Sequence, residues 1–312
     1  MEPAVVLDGL RKSFGKTVAL DGVDLVVPAG TVYALLGPNG AGKTTAVRIL
    51  ATLLRADSGR AFVDGHDVAL HGDAVRRVIG LTGQYTALDE ALTGRENLVL
   101  IGRLLRLSAG DAKRRAAELL EHVGLSEVAG RSVRTYSGGM RRRVDLAASL
   151  VGRPRVLFLD EPTTGLDPAS RISLWELIAE TVREGATVLL TSQYLDEVDR
   201  LASRIAVLDQ GRVIAEGAPW ELKAKAGGHV VAARVAATLV PAAVDALAAM
   251  GPVRSHQDEL TVPVHGEAGL LEAIQRLHDA GVAADEIALR RPTLDEVFLN
   301  LTNGRGSDAR AA

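Results

Sequence analysis

Three short stretches of this chain carry residue types able to handle phosphate. The first is Gly37, Pro38, Asn39, Gly40, Ala41, Gly42, Lys43, Thr44 and Thr45, which combines glycines, a cation and adjacent hydroxyls. Glycines let the backbone turn tightly and bring N–H groups against phosphate oxygens, at a helix N-terminus whose dipole favours an anion. Lys43 adds a cation for β- and γ-phosphates, and Thr44 supplies the hydroxyl that such a loop turns toward magnesium. The stretch reads as a nucleoside-triphosphate loop without saying which NTPase carries it. The second is Ser137-Gly138-Gly139, followed by Met140 and a run of three arginines. An N-cap hydroxyl and two bare amides fit a second anion site, and equally a plain capped helix. The third is Asp160-Glu161, two acids after the apolar run Val156 to Leu159. There Asp160 would organise a magnesium shell, and Glu161 could orient or deprotonate an attacking water.

These groups need rigid elements to hold them. An apolar run, Val32 to Leu36, leads into the first loop and an amphipathic run, Thr45 to Leu54, leads out, giving strand, loop and helix. Val156 to Leu159 and Thr187 to Leu190 are continuous apolar runs, the mark of strands buried on both faces. Thr191-Ser192-Gln193 stands at the carboxyl end of the latter, where ligands of open α/β sheets bind. Val78 to Leu81 predicts a short strand that delivers Gln84, and Ser170 to Arg183 a helix after the Thr164 to Pro168 turn. Upstream, Val5 to Leu10 and Thr17 to Val27 alternate apolar and polar residues, predicting antiparallel strands with a turn at Asp21-Gly22. Phe14 falls on the turn between them, where its ring could stack on a base or pack in the core. Ser58-Gly59 and Asp64-Gly65 read as turns of another hairpin. Glu96 to Leu107 and Ala112 to Val123 have helical spacing, so the middle third is a helical insertion, with Lys113, Arg114 and Arg115 as a solvated face.

Bulk properties narrow the field. The 312 residues suit one large domain or two smaller ones, and 47% hydrophobic with 24% charged residues is ordinary for a globular chain. With aromatics at 3%, the core must be built from Ala, Val and Leu. A formal net charge of −3 argues against nucleic acid as the main partner. The absence of cysteine excludes disulfides and thiolate chemistry and fits a reducing compartment. Met1 to Asp8 lacks the pattern of a secretion signal, and no uncharged apolar run reaches membrane-spanning length; Ala236 to Met250 comes nearest, broken by Pro241 and Asp245.

Taken in order, these stations resemble the ATP-binding subunit of ABC transporters from Val5 to about Ala218. Gly37 to Thr45 resembles the Walker A loop, Gln84 the Q-loop, and Tyr136 to Met140 the signature motif. Val156 to Asp160 with Glu161 resembles Walker B and its catalytic glutamate, and Gly165-Leu166-Asp167 the D-loop. Phe14 falls where the family places its adenine-stacking aromatic. One station departs: Gln193 stands at the usual switch histidine, and its amide can hydrogen-bond a γ-phosphate but cannot be charged. This, with Arg291 to Phe298, is similar to the daunorubicin-resistance branch, whose members energise drug or lipid export.

The resemblance implies an α/β ABC-type ATPase with a RecA-like core, an antiparallel β subdomain and a helical subdomain. It implies ATP and Mg2+ as ligands, with Thr44, Gln84 and Asp160 toward the metal and Lys43, Glu161 and Gln193 in catalysis. A single copy of each motif implies a homodimer in which Ser137, Gly138 and Gly139 of one chain close over ATP held by the other. Separate integral-membrane permease subunits would be driven through Tyr85 to Glu96, placing the chain at the cytoplasmic face of the cell membrane. Two other classes share the loop. A soluble ABC ATPase on ribosomes or DNA usually has tandem domains or long coiled-coil insertions, neither of which occurs here, and a non-catalytic ATP-gated regulator is opposed by Glu161.

Past Gly227-Gly228 the pattern changes to β-α-β-β-α-β, a ferredoxin-like order. Residues 1–226 are therefore expected to form the ATPase domain and 227–302 a small α+β accessory domain that stabilises a dimer or regulates it. A short helix is expected at Leu294 to Leu301 and a disordered tail at 303–312. His229, His256, His265 and His278 lack metal-ligand spacing.

Overall fold

The computed structural model describes residues 2–83, 88–225, 229–256, 258–264, 266–291 and 293–298. Gln84, Tyr85, the Gly227-Gly228 boundary, His265 and the expected tail at 303–312 lie outside them. The chain divides into two compact units, Met1–Glu216 and Gly217–Ala312.

In the first unit the chain runs β1 (Pro3–Phe14), β2 (Thr17–Pro28), β3 (Val32–Leu36), α1 (Lys43–Leu50), β4 (Ser58–Val63), β5 (His66–Asp67), α2 (Gly72–Val78) and β6 (Ile79–Thr82). It continues through α3 (Gly94–Leu104), α4 (Ala109–His122), α5 (Gly138–Leu150), β7 (Val156–Asp160), α6 (Pro168–Arg183), β8 (Thr187–Ser192), α7 (Leu195–Leu201), β9 (Arg204–Asp209) and β10 (Arg212–Gly217). A six-stranded sheet, ordered β10-β9-β3-β8-β7-β6, forms its centre, with β9, β3, β8, β7 and β6 parallel. Strands β3, β7 and β8 are buried at every residue, as their unbroken apolar runs require.

Alternate residues feed two cores. Tyr33, Leu35, Phe158 and Leu189 pack with α1 and the β1–β2 hairpin, while Leu157, Leu159, Val188 and Leu190 pack with the helices on the opposite face. Among the largest fully buried side chains of the described residues, Tyr33 and Phe158 are the aromatic exceptions to Leu and Ile. The second sheet, β2-β1-β4-β5, is antiparallel, its alternating pattern burying Val5, Leu7 and Leu10 opposite Val27, Leu25 and Val23.

Two expected turns are corrected. Asp21-Gly22 lies inside β2, where the pairing slips between Leu10 and Arg11 and Gly22 takes φ 73°, so this is a β-bulge in a continuous strand. Ser58-Gly59 opens β4, with Ser58 paired to Arg11, leaving Asp64-Gly65 as the turn into β5. The helical insertion starts earlier than its apolar spacing suggests, because caps set helix starts. A Thr93–Glu96 capping box begins α3, and the Ser108 hydroxyl accepts from the Asp111 N–H at α4. Arg115 is also not simply solvated, since it donates Nη2 to the Leu150 carbonyl at 2.9 Å.

The second unit opens with α8 (Pro219–Lys225) and continues β11 (His229–Val235), α9 (Val240–Leu247), β12 (Arg254–His256), β13 (Glu259–Val264), α10 (Gly266–Asp279) and β14 (Ala284–Arg290). Its antiparallel sheet has the order β12-β13-β11-β14. Leu294 to Phe298 is helical.

Candidate functional site

The phosphate loop leaves β3 at Gly37 and enters α1 at Lys43. Gly42, the N-cap, has φ 108°, and a Cβ there would stand 2.3 Å from the Ala19 carbonyl, so no other residue fits. Gly42 offers no side-chain cap, which leaves the first-turn N–H groups of α1 for an anion. Lys43 is 4% exposed and donates Nζ to the carbonyls of Gly37 at 2.6 Å and Pro38 at 3.1 Å. Burial pulls its ammonium below the usual lysine range, while Glu161 and Asp160 act in the opposite sense.

The two acids at the end of β7 differ in setting. Asp160 is buried, and its Oδ1 accepts from Thr44 Oγ1 at 3.1 Å and from Thr191 Oγ1 at 2.6 Å. Glu161 has left the strand with φ 50°, a left-handed conformation that costs a non-glycine residue about 1–2 kcal/mol. Its N–H reaches the Thr191 carbonyl and Oγ1, both at 3.1 Å. Its carboxylate accepts from Thr164 Oγ1 at 3.2 Å and stands 3.8 Å from Lys43 Nζ. Thr44 Oγ1 and Asp160 Oδ1 are hard oxygen donors close together beside the loop, a set that suits Mg2+.

A cleft of about 850 Å³ opens beside the loop, with Phe14, Lys43, Thr44, Glu161 and Gly138 among its walls, while Asp160 is not among its lining residues. Asn39 to Thr45 line it, while the carbonyls of Gly37 and Pro38 accept from Lys43. The Phe14 ring is 50% exposed, which removes the core alternative, and Lys12 Nζ lies 5.6 Å from its centroid. Ser137 caps α5 by accepting from the Met140 N–H at 3.2 Å. Gly139 is held against Ser170, whose Oγ would be 2.2 Å from an added Cβ. Neither Ser137 nor Gly139 lines the cleft in a single chain. Gln193 is exposed just beyond β8 and is also absent from the cleft wall.

A family model for the ABC transporter matches residues 20–164. The chain is 54% identical to the daunorubicin resistance ATP-binding protein DrrA3 of Streptomyces coeruleorubidus, over 99% of this chain and 98% of that protein. It is 35% identical to the linearmycin resistance ATP-binding protein LnrL of Bacillus subtilis, over 95% and 97%. The chain belongs to the ABC transporter family. Among solved ABC structures, CbiO1 of Clostridium perfringens superposes with a TM-score of 0.66 at 27% identity, covering 72% of this chain and 92% of that one. A dimeric post-hydrolysis structure of the ATP-binding cassette MJ0796 with ADP and Pi gives 0.63 at 27%, over 69% and 98%. As an ABC ATP-binding subunit, this protein is a nucleotide-binding ATPase, the motor component of an exporter, and among its described residues no helix is long and apolar enough to cross a membrane.

Three residues of this ABC subunit escape sequence reasoning. Thr191 bridges the two acids from β8, and nothing local to it signals that contact. Arg142 stands in a run of three arginines to which the sequence reading gives no role, yet it is buried and donates Nε to the Pro162 carbonyl at 2.6 Å and Nη1 to the Gly83 carbonyl at 2.8 Å. A signal existed, because Arg142 stands four residues before Leu146 and three after Gly139, on the inward stripe of α5. Glu197 is fully buried, accepting from Ser192 Oγ at 2.5 Å and Trp175 Nε1 at 3.1 Å. Burial pushes its carboxyl above the ordinary carboxylate range, with those two hydrogen bonds opposing.

Proposed function

We propose that the cleft hydrolyses Mg2+-bound ATP between two copies of this chain, and that the cycle drives drug or lipid export through separate membrane subunits. The observation that carries this reading is the joining of Lys43, Thr44, Asp160 and Glu161 around one loop, with Thr44 Oγ1 3.1 Å from Asp160 and Lys43 Nζ 3.8 Å from Glu161. Lys43 exchanges its loop carbonyls for β- and γ-phosphate oxygens. Phe14 stacks on the adenine, and the Gly37 to Thr45 amides hold the phosphates. Thr44 and Asp160, with Gln84, would hold Mg2+, which neutralises phosphate charge. Glu161, steadied by Thr164, accepts the hydrogen bond of the attacking water and draws off its proton as the γ-phosphoryl transfers.

Ser137, Gly138 and Gly139 act across the dimer, on ATP held by the partner copy, and Gln193 donates its amide to the γ-phosphate. Residues 1–226 form the ATPase and 227–302 an accessory module that stabilises the dimer or regulates it. The segment from Tyr85 to Glu96 meets the permease subunits at the cytoplasmic face of the membrane. Relatives named for daunorubicin, doxorubicin and linearmycin resistance support an antibiotic cargo.

Turnover and size-exclusion chromatography with Mg2+ and ATP test the site. Glu161→Gln is expected to bind ATP, to lose about 10²–10⁴-fold in turnover and to elute as a dimer. Lys43→Ala is expected to lose ATP affinity instead. Wild-type turnover in Glu161→Gln overturns the assignment.

A further inference from the structure

We infer that Arg142 is a positioning residue that aims Glu161 by holding the backbone of the turn that carries it. The inference rests on the assignment of Glu161 as the group that activates water. Three consecutive carbonyls of that turn accept from one guanidinium: Asp160 from Nη2 at 3.4 Å, Glu161 from Nη2 at 3.2 Å and Pro162 from Nε at 2.6 Å. The middle residue is the one with φ 50°. A left-handed non-glycine residue persists where its surroundings over-determine it, and here a planar fork grips the carbonyls on both sides. The same guanidinium donates Nη1 to Gly83, just past β6, and lies 3.4 Å from buried Asp145 on its own helix.

One side chain therefore ties together three stretches of a single subunit: the end of β6, the catalytic turn and the helix that begins at Gly138. A shift of α5, such as the docking of its N-terminus on a phosphate would produce, moves these carbonyls with it and re-aims the Glu161 carboxylate. Arg142 touches no reacting atom in this scheme. It acts through the position of Glu161, so its removal lowers kcat and leaves nucleotide binding in place.

Arg142→Lys tests this, since an ammonium keeps the charge beside Asp145 but cannot present the planar fork. Expected are a loss of about a hundredfold in kcat, the scale of a 1 Å misplacement, with KM for ATP unchanged and a cooperative melting transition retained. In a Glu161→Gln background, single-turnover rates should show no further loss on adding Arg142→Lys, because both changes act through one carboxylate. A wild-type kcat in Arg142→Lys overturns the inference, as does a loss that multiplies fully onto that of Glu161→Gln. If Arg142→Lys does not fold, Arg142→Gln/Asp145→Asn, which neutralises the buried pair together, is judged by the same readouts. Loss of the melting transition in both overturns the inference and assigns Arg142 to folding. Wild-type turnover in Glu161→Gln alone sinks the underlying assignment instead, so the two failures are distinguishable.

Discussion

In the unit Met1–Glu216 the buried set includes Lys43, Arg142, Asp145, Asp160 and Glu197, whereas the core cluster of Gly217–Ala312 consists of Val, Ala and Leu. Burying charge is costly, and an ion pair seldom returns more stability than packed hydrocarbon would. The first unit gives buried charges specific partners: Lys43 on loop carbonyls, Asp160 on two threonines, Arg142 on the turn at residues 160–162 and Glu197 on Ser192 and Trp175. In the second unit the described residues include no buried charged side chain, so its fold rests on apolar burial and strand pairing.

The contrast can be broken most strongly by a cavity. Leu260→Ala, at a fully buried position of β13, should cost the second unit about 2–5 kcal/mol while ATP affinity stays unchanged. Hydrogen exchange of β11 and β13, measured beside ATP binding, checks this; a parallel loss of ATP affinity would show that the two units do not separate energetically.

A smaller effect is expected at Gln193, just beyond β8. If Gln193 donates to the γ-phosphate as proposed, Gln193→Ala removes one hydrogen bond to a charged group, about 1.5–3 kcal/mol, so turnover should fall roughly tenfold to a hundredfold with ATP affinity kept. Gln193→His should stay active and gain a titration step near pH 6.5, about the ordinary histidine value, seen in a pH–rate profile. Full activity in Gln193→Ala would make Gln193 a bystander, in keeping with its exposed position.

The smallest effect concerns Glu197, whose burial raises its pKa above the ordinary 4.5. Below 4.5 the carboxyl is protonated both folded and unfolded, and its favourable contribution is fully present. As pH climbs through the raised folded value that contribution is lost, because the fold must then bury a charge. Glu197→Gln never ionises, so the stability difference between variant and wild type should move in favour of the variant as pH rises across this window. Denaturant titrations over that range measure it, and a pH-independent difference would remove Glu197 from the titrating set.

Much of the site is written locally in the chain. The glycines and Lys43-Thr44 of the loop, the acids ending an apolar run and Ser137 before two glycines each act through their own backbone neighbourhood, so residue type and spacing determine strand, loop, cap and helix start. The unbroken apolar runs likewise determine that β3, β7 and β8 are buried on both faces. Other features depend on distant partners. Asp21-Gly22 has the composition of a turn, and only pairing with β1 makes it a bulge. Thr191 meets Asp160 because β7 and β8 lie side by side in register, Asp160 opposite Thr191. Arg142 stands second in a run of three arginines, and only the packing of α5 beside residues 160–162 gives its donors those carbonyls. The Thr191 and Arg142 contacts join residues 18 to 31 positions apart. The energy of such a contact depends on which groups the fold brings within hydrogen-bond reach, and that was decided by the tertiary structure alone.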